Sequence, residues 1–342
     1  MNALLRKLKA TRHQLDLVVS GYDDIKEMLL VALLADGHVL LEAVPGTAKT
    51  TLVNTLRASI ANATSARLQM TPDMKPSDIT GVEIYHQRRG DFVTKLGPIL
   101  GANLVLADEI NRTSPKTLSA LLECMQERRV TIGDTSHNAP NLFIIIATEN
   151  PVESEGVFPL PEATLDRFML KLPMHYVSRQ DELRMLQNIK VHGRNAQALV
   201  APLISVEELL ELQALVVKMC ATTSRPLLEY IVDLTRATRP GESPEDIRYF
   251  DLVHGQDARG LREQIAYGAS PRCEIATLHC AAAFAVFSGA SHIEPAHVKR
   301  VFHAVANHRI ILAASAAYDG VTTTQIIDKV LKRVAIISPS SS

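Results

Sequence analysis

Apolar positions recur at helical spacing over residues 3–18, where Leu4, Leu5, Leu8, Leu15 and Leu17 supply one side. Gly21-Tyr22 interrupts that pattern, and Asp23-Asp24 can cap a second helix running to about Leu34. The periodicity then changes. Val39-Leu40-Leu41, Leu104-Val105-Leu106-Ala107 and Leu142-Phe143-Ile144-Ile145-Ile146-Ala147 are short uninterrupted apolar runs, the pattern of parallel strands buried on both faces. Ala66-Arg67-Leu68-Gln69 and Met169 to Leu172 read as two further strands. Helical spacing links them, with Leu52, Val53 and Leu56 after the first strand and Leu118, Leu121, Leu122 and Met125 between Ser114 and Arg129.

Two stretches break the alternation. Between 71 and 101, Pro and Gly punctuate strand-like pieces at Val82–His86 and Phe92–Leu96, joined by the turn Gln87-Arg88-Arg89-Gly90; this reads as an inserted hairpin exposed at its tip. A second hairpin begins at Val130–Asp134 and returns through Asn141. From about Ser178 the strand pattern stops. Helices are expected at 180–191, 205–221, 225–238, 271–288, 295–308 and 322–335, with Ser205 and Glu208 as a capping box and Pro271 opening the fourth. Arg239 to Ser270 is polar and rich in Gly and Pro, and reads as a partly mobile insertion. Ser338–Ser342 reads as a frayed end.

The ends of the apolar runs carry the candidate chemistry. After the first strand comes Val44-Pro45-Gly46-Thr47-Ala48-Lys49-Thr50-Thr51, a tight turn opening into a helix. In that context backbone N–H groups can cradle phosphate oxygens, Lys49 can reach the β- and γ-phosphates, and Thr50 can ligate magnesium. Ala43 and Ala48 stand where the strict pattern has glycine, so an ordinary strand-to-helix turn stays open. Asp108-Glu109 ends the next run; Asp108 can hold magnesium and Glu109 can polarise a water, or the pair can cap a helix. Asn150 follows the third run, placed to orient a water or to cap the turn before Pro151. Arg167 stands at the end of a short helix, as a surface ion-pair partner or as a finger offered to a neighbouring subunit.

Composition removes several alternatives. The 342 residues allow two domains with a real core, and 46% hydrophobic against 21% charged residues is a globular balance. Aromatics are 4% with no Trp and net charge is −1, which argues against a nucleic-acid binder; Arg88-Arg89 is the one basic feature that could serve DNA. Cys124, Cys220, Cys273 and Cys280 form no CxxC pair and fit packing roles in a reducing cytosol. The amphipathic N-terminus has no signal-peptide core and no apolar run is long enough to span a bilayer, so a cytoplasmic protein is expected.

In this order the motifs resemble those of the AAA+ ATPases, and among them the MoxR family, over about residues 20 to 335. Val44-Pro45-Gly46-Thr47-Ala48-Lys49-Thr50 resembles the family's phosphate loop, in which alanine occurs at the position of Ala48. Leu104-Val105-Leu106-Ala107-Asp108-Glu109-Ile110-Asn111-Arg112 is similar to its Walker B segment, and Asp78-Ile79-Thr80-Gly81 with Gly97-Pro98-Ile99 to its helix-2 insert. Ala147-Thr148-Glu149-Asn150-Pro151 is similar to its sensor-1 segment. Leu160-Pro161-Glu162-Ala163 with Leu165-Asp166-Arg167-Phe168 resembles its arginine-finger segment, and Gly268-Ala269-Ser270-Pro271-Arg272 its sensor-2 motif. The stretch 239–268 is longer than the family pattern, which leaves open whether Arg272 serves its own site or a neighbour's.

The resemblance implies an α/β P-loop core over 1–177, with a parallel sheet flanked by helices, a helix-2 insert and a pre-sensor hairpin. An all-α lid over 178–342 would follow, carrying the insertion at about 239–270. It implies ATP and Mg2+ as ligands, with Thr50 and Asp108 serving the metal. Glu109, Asn150, Arg167 and Arg272 would be catalytic. It also implies a ring, hexameric in form, remodelling protein complexes with a partner bearing a von Willebrand factor A domain. A DNA-directed motor and a nucleotide-switched scaffold with little turnover are the alternative readings.

Overall fold

The computed structural model describes residues 2–88, 90–151, 157–193, 198–241 and 243–335. Arg89 and the expected frayed end at Ser338–Ser342 lie outside the described residues. The chain divides into two compact units, Met1–Leu212 and Gln213–Ser342.

The first unit is built on five parallel strands: β1 (Val39–Ala43), β2 (Ser65–Gln69), β3 (Leu104–Asp108), β4 (Ile144–Glu149) and β5 (Leu170–Met174). Their order across the sheet is β5-β1-β4-β3-β2. The central strands are apolar on both faces because helices cover both, as the uninterrupted runs imply. Helices α1 (Asn2–Val18) and α2 (Asp23–Leu34) match the expected spans, and α3 (Lys49–Ala58) opens where the turn predicts. Helix α4 (Pro115–Glu127) has Ser114 as its cap, the hydroxyl accepting from Thr117 N–H, with Pro115 at its first position. It buries Leu118, Leu121, Leu122 and Met125 with Leu40, Val105, Ala107, Ile145 and Ala147 of the sheet.

The third apolar run enters the ladder two residues later than expected, at Ile144. Leu142 and Phe143 are buried ahead of it, so the run reports burial there rather than pairing. Both expected hairpins form, Gly81–His86 with Asp91–Leu96 and Arg129–Ile132 with Thr135–Asn138.

His38 pins the start of β1 to its neighbours. Its Nδ1 accepts from Ile145 N–H at 3.0 Å and its Nε2–H donates to Met125 O at 3.1 Å. Burial pushes this imidazole down to about 4 and the charge of Arg128 adds to the shift, while the Met125 carbonyl opposes it. The unfolded chain therefore takes up a proton below about pH 6.5 that the folded ring refuses. The His38 contribution is complete above pH 6.5 and falls by about 3 kcal/mol as pH drops to about 4. Urea midpoints followed across that window should decline less steeply in His38→Gln than in the parent; equal slopes would remove His38 as the cause.

Helix α5 (Arg179–His192) and the start of α6 (Val206–Ala221) still belong to the first unit. The boundary expected at 177/178 thus precedes residues that pack back on this unit. Ile204–Ser205 pairs in parallel with Ile60–Ala61, Leu203 N–H donates to Ser59 O at 2.9 Å, and Lys7 meets Glu208.

The second unit is helical: α7 (Arg225–Arg236), α8 (Pro244–His254), α9 (Ala258–Gln264), α10 (Pro271–Ser288), α11 (Pro295–Ala306) and α12 (Thr323–Arg333). Helix α10 is apolar nearly all round and forms its centre against α7 and α11, ending at Gly289 with φ 83°. The segment expected to be a partly mobile insertion is folded. Ser243 caps α8, its hydroxyl accepting from Asp246 N–H at 3.1 Å; Phe250, Ala258, Leu261 and Ile265 are buried. Ile265–Tyr267 pairs antiparallel with Ile311–Leu312, a ribbon that the all-helical expectation did not include. The four cysteines are free thiols. No helix among the described residues is long and apolar enough to cross a membrane.

Candidate functional site

The C-terminal ends of β1, β3 and β4 lie side by side because the strands are parallel neighbours, and the chemistry-bearing residues collect there. From β1 the chain turns through residues 44–48 into α3. Thr47 is buried and its hydroxyl donates to Val44 O at 2.8 Å, while Pro45, Gly46 and Ala48 are exposed. Gly46 takes φ 83°, a left-handed conformation that glycine adopts without steric cost. Ala48 is the N-cap of α3 at φ 60°, ψ 22°, where a Cβ costs roughly 1–2 kcal/mol. Ala43, the other position without the expected glycine, ends β1 without a positive φ, so alanine fits there. The first intrahelical bond runs from Leu52 N–H to Ala48 O at 2.9 Å, which leaves the N–H groups of Lys49, Thr50 and Thr51 without intrahelical acceptors.

Lys49 Nζ lies 3.1 Å from Asp108 Oδ1 and 3.4 Å from Thr148 Oγ1. Thr148, fully buried on β4, is the hub. Its hydroxyl donates to Asp108 Oδ1 at 2.7 Å and accepts from Glu109 N–H at 2.9 Å. Arg67 on β2 closes the other side, 2.8 Å from Asp108 Oδ2. Burial would raise the Asp108 carboxyl, but the bonds from Thr148 and Arg67 and the charge of Lys49 outweigh it and hold it below the usual carboxylate value.

Glu109 turns out of the strand in the left-handed region, φ 60°. Its Oε2 accepts from Gln69 Nε2 at 3.1 Å and forms an ion pair with Arg112, whose Nε lies 3.1 Å away. Asn150 is buried at the tip of β4. Glu149, one residue before it, is bound to Lys171 at 2.8 Å, and that ammonium also meets Glu42. Arg167 is exposed just after the short helix Glu162–Leu165, its N–H donating to Thr164 O at 3.2 Å. Arg272 belongs to the second unit, the second residue of α10.

The donor set suits a polyphosphate nucleotide with magnesium. A helix start whose first N–H groups lack intrahelical acceptors, together with a lysine, matches phosphate oxygens, and the Asp108 carboxylate offers the kind of oxygen ligand a hard cation takes. Residues 38–170 match the model of the ATPase family associated with various cellular activities (AAA), and residues 258–330 match an AAA lid domain. Chaperone MoxR1 of Mycobacterium tuberculosis is 39% identical over 319 residues, 93% of this chain and 79% of that protein.

The chain belongs to the MoxR family of AAA+ ATPases.

A second MoxR protein, from Methylorubrum extorquens, is 30% identical over 86% of this chain and 84% of its own. The crystal structure of a protein described as an ATPase from Cytophaga hutchinsonii superposes with a TM-score of 0.85 at 39% identity, covering 98% of this chain and 96% of that one. Four residues at the site carry no role in the sequence reading: Arg67, Gln69, Arg112 and Thr148. Arg67 and Gln69 stand two apart on β2, paired with Leu106 and Asp108 of β3, which is the signal that strand register supplies.

Proposed function

We propose that the protein hydrolyses ATP between subunits of a ring, hexameric in form, and uses the cycle to remodel or mature protein complexes. The observation that carries this is the convergence of Lys49, Asp108 and Thr148 at the head of α3, with Glu109 anchored beside them. Phosphoryl transfer needs positioning and charge neutralisation more than covalent help, and such a cluster supplies both. The N–H groups of the loop and of Lys49–Thr51 hold the phosphate oxygens, and Lys49 turns its ammonium to the β- and γ-phosphates. Thr50 and Asp108 would hold magnesium, which when bound supplies positive charge to offset the charge of the phosphates. Glu109 takes the proton of the attacking water, Asn150 orients that water, and Arg167 and Arg272 meet the charge that grows on the γ-phosphoryl. The helical unit from Gln213 onward serves as the lid. The family resemblance supports a partner with a von Willebrand factor A domain, and the amphipathic N-terminus without a signal-peptide core supports a cytoplasmic setting.

Lys49→Ala tests the loop. Asp108 keeps Arg67 and Thr148 as partners, so the strand end stays satisfied. ATP affinity measured by calorimetry should fall at least tenfold, about 1.4 kcal/mol, because a charge-assisted contact to phosphate is lost. Parental affinity in that variant would refute the assignment.

A further inference from the structure

The second unit holds its α10 start in an unusual way. Helix α7 ends into Thr238 and Arg239, and both side chains reach the backbone of the same residue, Ala269, two residues before α10 begins. Thr238 Oγ1, fully buried, accepts from Ala269 N–H at 2.9 Å and donates to Thr235 O at 2.7 Å. Arg239 Nε donates to Ala269 O at 2.8 Å, and the same guanidinium reaches Glu274 Oε1, in the first turn of α10, at 3.0 Å. The backbones are in contact. A Cβ on Gly268 would lie 2.5 Å from Thr238 O and 2.6 Å from Arg239 Cα, so only glycine admits this approach. Ser270 completes the arrangement as the cap of α10, its hydroxyl accepting from Arg272 N–H at 3.2 Å.

One planar guanidinium thus ties the residue ahead of the cap to the first helical turn, and Arg272 lies between those two ties in the chain. A lysine has three donors on one freely rotating ammonium, so it would hold the two acceptors in a less fixed geometry than the planar fork of an arginine. We propose that Arg239, seated on Thr238, is a positioning residue that fixes the direction of Arg272. This rests on the reading of Arg272 as the arginine that meets the γ-phosphoryl. The ion pair is only partly buried, with about a quarter of each side chain exposed, so its worth to folding is small. Its geometric effect is not, because misplacing a charge by about 1 Å can cost up to ~10²-fold in rate.

The test is a double-mutant cycle on the full chain, reading kcat and KM for ATP with Arg239→Gln, Arg272→Ala and both together. Arg239→Gln should lower kcat roughly tenfold with little change in KM, and Arg239→Lys should fall between it and the parent. In the Arg272→Ala background, Arg239→Gln should cost less than about twofold more, since residues acting through one another are not additive. An equal loss in both backgrounds would make Arg239 a general structural residue and overturn the proposal. Parental kcat in Arg239→Gln beside an impaired Arg272→Ala would overturn it alone. Parental activity in Arg272→Ala would instead remove the reading of Arg272, and the proposal with it. Should circular dichroism show Arg239→Gln unfolded, Glu274→Ala, which cuts only the tie to the first turn of α10, decides by the same cycle.

Discussion

A Glu109→Gln variant is expected to bind ATP with magnesium as the parent does and to lose turnover by a factor of ~10²–10⁴, the usual contribution of a general base. The surroundings of Glu109 make this a clean substitution. The backbone is held in its left-handed turn by the bond from Glu109 N–H to Thr148 Oγ1, which the change leaves alone. The amide oxygen of the new side chain still accepts from Gln69 Nε2. The charge facing Arg112 is lost, but that pair is partly exposed and worth little. What disappears is the ability to take a proton. Steady-state hydrolysis and equilibrium nucleotide binding measured on one sample separate the two effects, and near-parental turnover would take Glu109 out of the role.

The parts of the fold that were legible in the sequence are those where burial and pairing coincide. Val39–Leu41 and Leu104–Ala107 are apolar because helices cover both faces of the sheet, and they pair where the runs predict. Leu142 and Phe143 mark the limit of that signal: both are buried, yet the ladder starts at Ile144. The segment after Arg239 departs from its expectation for a different reason. Its Gly and Pro content suggested a loose insertion, while Ser243-Pro244-Glu245-Asp246 is the same kind of helix start as Ser114-Pro115 and Ser270-Pro271. At the site, Lys49, Asp108 and Glu109 were visible because each ends or follows an apolar run. Arg67, Gln69 and Thr148 were not, because their contacts exist only once β2, β3 and β4 take their register.

Mixing two inactive variants is expected to restore ATPase activity if Arg167 acts across an interface. The motivation is local. Arg167 follows a four-residue helix and is exposed, while Phe168 beside it is buried and fixes the turn. Arg167→Ala alone should lack a finger at every site of a ring, and an arginine finger contributes roughly 10³–10⁵ in rate. Glu109→Gln alone should lack a base at every site. In a mixed ring, a subunit with Arg167→Ala keeps its own Glu109 and can receive Arg167 from a neighbour carrying Glu109→Gln. With equal random mixing, roughly a quarter of the interfaces would hold that productive pair. Activity should therefore reappear after subunit exchange, peak near equal proportions, and fall away as either variant dominates. A finger acting within its own subunit gives no site with both groups, and so no recovery at any ratio. Silence in rings whose mixed composition has been verified by native mass spectrometry would exclude action in trans.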